Sequence, residues 1–142
     1  MRSITFNKLQ LGDHAQLSKA FHLEEVECFA KITGDNNPLH LDEEYAKKTI
    51  FKTRIVHGML VSSLFSSIFG TFLPGLGSIY LFQSMKFIRP VYLDEEVTAK
   101  VMVKELIVEK KRVVFDCLIV NSKQEVVITG EAILLPPQGE NE

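Results

Sequence analysis

A chain of 142 residues, 46% hydrophobic and 24% charged, carries enough apolar material for one folded domain with a core of its own. Its net charge is -2 and its pI about 6.1, and no Lys/Arg stripe interleaves with aromatics, which argues against a nucleic-acid binder. Two cysteines, Cys28 and Cys117, are too few for a disulfide framework and both sit in apolar patterns, so buried free thiols are expected.

The opening stretch, "MRSITFNKLQLGD", has no apolar run of the kind a secretory leader needs. With reduced thiols, the expected setting is cytoplasmic, or a mitochondrial matrix in a eukaryote. Residues 24–32, "EEVECFAKI", place Val26, Phe29, Ala30 and Ile32 at helical spacing, and Gly34 supplies the stop. "TGDNNPLH" at 33–40 follows, rich in turn formers. Asp42 is a fitting N-cap for a short helix through "EEYAKK". Residues 59–69, "MLVSSLFSSIF", predict a helix apolar nearly all round, with serines as its only polar groups. No charged residue occurs from Gly58 to Met85, which raises the question of a membrane span. A spanning helix needs about 20 apolar residues. Four serines and then "LPGLGS" at 73–78 break this run, so the helix ends near Gly70 and belongs inside a globular core.

Beyond that turn the period changes from helical to alternating. "SIYLFQSMKFI" reads as a strand, with residues 79–88 long, β-prone and almost uncharged. In "EVTAKVMVKELIVE", Val97, Ala99, Val101 and Val103 alternate with Thr98, Lys100, Met102 and Lys104. "RVVFDCLIVN" and "EVVITGEAILL" give two more strands, with turns at "EKKR" and "NSKQ". Hairpin-linked antiparallel strands and one hydrophobic helix make an α+β domain, a sheet wrapped on a helix, over residues 1–142. Strand and helix do not alternate, so a parallel dinucleotide-binding sheet is not expected.

Two places could carry chemistry. Pro38 fixes its own φ and pushes Asn37 toward an extended conformation, so the turn can hold Asp35 and His40 in one space. A carboxylate beside an imidazole can activate a water molecule; equally, Asp35 could cap a turn and His40 stand exposed. In "VHGMLVSSLFS", Gly58 opens the buried helix, where unpaired backbone N–H groups meet the positive end of the dipole. A substrate oxygen could approach closely there, as in an oxyanion site, or the glycine could simply relieve crowding. Ser66, two turns on, reads on its own as a buried hydroxyl bonding back to its helix. Other chemistries find little support. His14, His22, His40 and His57 show no metal-ligand spacing, no GxSxG occurs, and "LPGLGS" precedes a strand rather than a helix.

"FAKITGDNNPLHLDEEYA", followed by "IVHGML", resembles the signature of the (R)-specific enoyl-CoA hydratases, the MaoC-like branch of the hot-dog superfamily. "GSIYLFQSMKFIRPVYLDEEVTA" and "ITGEA" at 128–132 are similar to further family segments. The resemblance implies a homodimer joined edge to edge through its sheets, with 79–88 as the candidate edge. It implies Asp35 and His40 as the catalytic pair, Gly58 as oxyanion donor, and Ser66 as a support near the aspartate, with Asn37 grouped among the substrate-binding residues. The substrate would be an enoyl-CoA or 3-hydroxyacyl-CoA, with no metal or other cofactor. Ser66 and Phe69 share a helix face, so Phe69 would close an acyl pocket with Ile133 opposite, favouring short chains. Rival readings are a 3-hydroxyacyl-ACP dehydratase, a hot-dog thioesterase, and a non-catalytic acyl-binding module.

Overall fold

The computed structural model describes residues 1–139. Strand β1 (His14–Ala20) leads into helix α1 (Leu23–Thr33), which Gly34 ends in a left-handed conformation at φ 82°. Two short helices follow, α2 (Pro38–Leu41) and α3 (Glu43–Lys47), then the long helix α4 (Gly58–Thr71). The remaining strands are β2 (Ile79–Gln83), β3 (Lys86–Phe87), β4 (Glu96–Ile107), β5 (Arg112–Asn121) and β6 (Val126–Leu135). All pair antiparallel in one sheet of order β1-β4-β5-β6-β2, with β3 also on β6.

The core lies between that sheet and α4. Val61, Leu64, Phe65, Ile68 and Phe69 recur at intervals of three and four, so one face of α4 is buried against the sheet. The sheet answers with Val97, Ala99, Val101 and Val103 from β4 and Phe115, Cys117 and Ile119 from β5, each two residues from the next. The opposite side of α4 presents Ser63, Ser66 and Ser67. No helix among the described residues is long and apolar enough to cross a membrane.

Several expectations change. Cys117 is buried but Cys28 is exposed, and Ile32 is 77% exposed. At about 100° per residue, Cys28 lies some 200° around α1 from the buried Val26, and Ile32 is one turn beyond Cys28. The strand expected over 79–88 is interrupted at Ser84 and Met85: the Ser84 N–H still donates to the Glu131 carbonyl at 2.8 Å, but the Glu131 N–H turns to the Ser84 hydroxyl. β1, which no sequence pattern announced, forms the far edge of the sheet on β4.

Candidate active site

The turn that opens the site is built by its own side chains. Thr33 Oγ1 donates to the Phe29 carbonyl at 2.7 Å and accepts the Asp35 N–H at 3.1 Å. Asp35 Oδ1 accepts the Asn37 N–H, and Asn37 Oδ1 accepts the Leu39 N–H at 3.1 Å. Asn37 is therefore the N-cap of α2, with Pro38 in the first helical position, where its missing N–H costs nothing. Asn37, grouped with the substrate-binding residues, uses its side-chain oxygen here to cap α2.

That short helix turns His40 inward. His40 is buried, and its Nδ1 lies 2.8 Å from the Ile55 carbonyl. A carbonyl only accepts, so Nδ1 carries the hydrogen and Nε2 keeps its lone pair. Asp35 stays exposed at the rim. A carboxylate oxygen of Asp35 and ring nitrogens of His40 and His57 all lie within 4.8 Å of one another. His57 was not singled out for this site by the sequence. Its ring stacks on His40 with centroids 3.9 Å apart and planes 28° apart. Near-parallel rings aim their in-plane lone pairs past one another, which suits a shared ion poorly. Burial, and secondarily the neighbouring His40, holds the His57 imidazole below the ordinary histidine range.

A cavity of about 470 Å³ takes in Asp35, His40 and Gly58, with apolar walls that include Phe51, Val61, Phe87 and Ile128. Gly58 is the first residue of α4, whose leading N–H groups have no partner within the helix. A Cβ at Gly58 would stand 2.7 Å from the Phe87 ring, so glycine lets that ring close over the helix start and a larger residue would push it aside.

Ser66 does not line the cavity that holds Asp35. It is exposed along a neighbouring groove of about 400 Å³, which shares Met59 with the first cavity and runs past Ser62 and Ser66 to Tyr80. The back-bonding expected of Ser66 belongs to Ser62 and Ser63, which donate to the Met59 and Leu60 carbonyls at 2.9 and 2.5 Å. Phe69 stands behind that groove, buried, edge-on to Tyr80 at 5.4 Å and against Phe115 at 4.8 Å. Ile133 is not opposite Phe69. Ala132 and Leu134 of β6 turn toward the Phe115 layer, and alternation puts Ile133 on the other face.

A helix clasped by an antiparallel sheet, with a carboxylate, two imidazoles and the start of that helix gathered at one cavity, defines a hot-dog domain. The chain belongs to the family of the MaoC like domain, whose model matches residues 8–124. It is 46% identical over 129 residues to the (R)-specific enoyl-CoA hydratase of Aeromonas caviae, covering 91% of this chain and 96% of that protein. It is 41% identical over 140 residues to the 3-hydroxybutyryl-CoA dehydratase of Methylorubrum extorquens, covering 99% of this chain and 88% of that one. Its structure is similar to that of an unliganded (R)-hydratase from Pseudomonas aeruginosa, with a TM-score of 0.92 at 37% identity, covering 96% and 88% of the two chains.

Proposed function

We propose that this chain is an (R)-specific enoyl-CoA hydratase, adding water reversibly to trans-2-enoyl-CoA to give (3R)-3-hydroxyacyl-CoA. The observation that carries the reading is the cavity where the Asp35 carboxylate, the His40 Nε2 lone pair and the start of α4 meet. A spacing of 4.8 Å or less suits one water between Asp35 and His40. Both groups are acceptors, so that water gives each a hydrogen and turns an oxygen lone pair toward C3 of the substrate. The thioester carbonyl accepts the Gly58 N–H, and the helix start stabilises the charge that grows on its oxygen. The C3–O bond forms, one proton passes to the Asp35–His40 pair, and a proton returns from the pair to C2 on the same face. Water has then been added across the double bond and the thioester is unchanged. The thioester supplies the activation, so the reaction needs no metal or other cofactor.

The groove past Met59, Ser62 and Ser66 continues from this cavity and suits an acyl tail, with Tyr80 and Phe69 at its far end. We assign the working form as a homodimer. β2 is a sheet edge whose Ile79, Tyr80, Leu81 and Phe82 are 40–53% exposed, whereas the other edge, β1, carries His14, Gln16, Ser18 and Lys19. An apolar edge invites another strand, and a second copy of β2 would cover it and roof the groove. The exposed thiol of Cys28 favours a reducing compartment such as the cytoplasm. The deciding test is hydration of crotonyl-CoA followed by the configuration of the product. Turnover to the (3R) alcohol is expected. Release of free thiol, or binding without turnover, would overturn the reading, and faster turnover of the ACP thioester would change the carrier.

A further inference from the structure

His57 takes no step in the hydration above, yet it touches every part of the site. Its Nε2 lies 3.2 Å from the backbone carbonyl of Asp35. One ring face stacks on His40, and Phe29 of α1 packs against the same imidazole at 4.7 Å. Its own carbonyl accepts the Val61 N–H at 3.1 Å, so it is also the residue from which α4 starts. It is 2% exposed, and its Nδ1 is buried without a hydrogen-bond partner among the described residues.

The two imidazoles are fixed in opposite tautomers. Bonding to the Asp35 carbonyl requires the hydrogen of His57 on Nε2, while the Ile55 carbonyl requires that of His40 on Nδ1. The price of the His57 arrangement is a buried lone pair on Nδ1 that no group among the described residues satisfies. A phenyl ring of similar outline would fill the space and stack on His40 without that unsatisfied acceptor. Stability alone therefore does not account for an imidazole here; the Nε2–H aimed at Asp35 does.

The geometry points to His57 as the positioning residue of the site. It sets the ring plane of His40 by stacking and the peptide of Asp35 by its Nε2–H, and it ties both to the helix start that presents the Gly58 N–H. It does so as a neutral ring. A cation stacked on His40 at 3.9 Å would oppose any positive charge that the Asp35–His40 pair takes up with the water's proton. This role rests on the hydratase reading.

Two replacements separate the contributions. His57→Phe keeps outline and stacking but drops the Nε2–H, whereas His57→Gln keeps an N–H at similar reach and drops the stack. Each purified protein is compared with wild type in thermal unfolding and in kcat and KM for crotonyl-CoA. His57→Phe should unfold no lower than wild type yet lose about 10²-fold in kcat, the cost of a misplaced catalytic pair, with KM nearly unchanged. His57→Gln should recover part of that kcat although it is the less stable variant. A merely structural residue gives the reverse order: activity follows stability and the phenyl variant turns over near the wild-type rate, which would overturn the assignment. If His57→Phe does not fold, His57→Gln decides, since a wild-type kcat there refutes the role and a reduced kcat at constant KM supports it. A wild type that does not hydrate crotonyl-CoA removes the hydratase reading itself, and this role with it.

Discussion

Removing the two acid–base groups singly and together tests whether they work on one water. The substitutions can be chosen so that the fold survives. Asp35 is exposed, and the amide oxygen of Asp35→Asn can still accept the Asn37 N–H. His40 is buried, but His40→Asn places an amide N–H near the position of Nδ1, where it can still reach the Ile55 carbonyl now 2.8 Å away, while the Nε2 lone pair is gone. A general acid or base contributes about 10²–10⁴-fold, or about 3–5 kcal/mol of barrier at roughly 1.4 kcal/mol per tenfold. Two independent groups would multiply, giving about 10⁴–10⁸ in the double variant. Groups within 4.8 Å that share one water have a single function to lose. The double variant should then fall little below the worse single. The assay follows loss of the conjugated enoyl thioester of crotonyl-CoA at saturating substrate, beside circular dichroism to show that each variant is folded. Near-normal kcat in either single variant would remove that residue from the pair. A fully multiplicative double variant would refute the shared water.

Phe69→Ala should cost about 3–5 kcal/mol, as for other buried aromatic truncations, and lower Tm by about 10 °C or more in a domain of this size. If the tail runs to Tyr80, the same change should raise kcat/KM for C8 relative to C4 enoyl-CoA, since each added buried CH₂ contributes about 0.8 kcal/mol; an unchanged ratio in the folded variant would leave Phe69 to the core alone. Leu81→Lys, on the apolar edge of β2, should turn a dimer into a monomer by light scattering, and a wild type that stays monomeric at working concentration would refute the edge pairing. Burial is the first cause holding the His57 imidazole below its ordinary range; of the titratable groups that face it, His40 adds to the effect and Asp35 opposes it. The unfolded chain therefore binds a proton at this ring below about pH 6.5 that the folded chain does not, so stability rises with pH through that window and falls on acidification. Unfolding scans between about pH 5 and 7.5 should show a shallower acid loss in His57→Phe, and parallel profiles would argue against the shift.

Local signals are legible in the chain where one face of an element meets one environment. The Gly34 stop, the Asp42 cap and the alternation of β4 all have the expected partners. The four-residue helix α2 was hidden because Asn37 and Pro38 are also turn formers, and its consequence, a buried His40, depends on the distant Ile55 carbonyl. β1 was hidden because "HAQLSKA" lies at an edge and buries little, so its alternation is faint. The break at Ser84 depends on a bond from β6, some 47 residues on, that no local pattern contains. His57 is the residue of the site least legible in the sequence. Its tautomer, its unsatisfied nitrogen and its contact with His40 exist only once α1, α2 and the start of α4 meet.

The sheet order also sets a timetable. β6, the last strand in sequence, lies in the interior of the sheet, where it holds β5 on one side and β2 and β3 on the other. During synthesis the turn that bears Asp35 and His40 and the helix α4 leave the ribosome well before residues 126–135, but Val127 and Ile128 of that strand line the cavity those residues share. Until they emerge, β2 and β3 have no strand to pair with, and the apolar side of α4 lacks part of its cover. Such long-range pairing is slow to form and leaves sticky surface open while it does. A nascent chain stalled before β6 would hold Asp35 and His40 and have no chamber for them, so the arrival of β6 closes this core and completes the candidate site in one event.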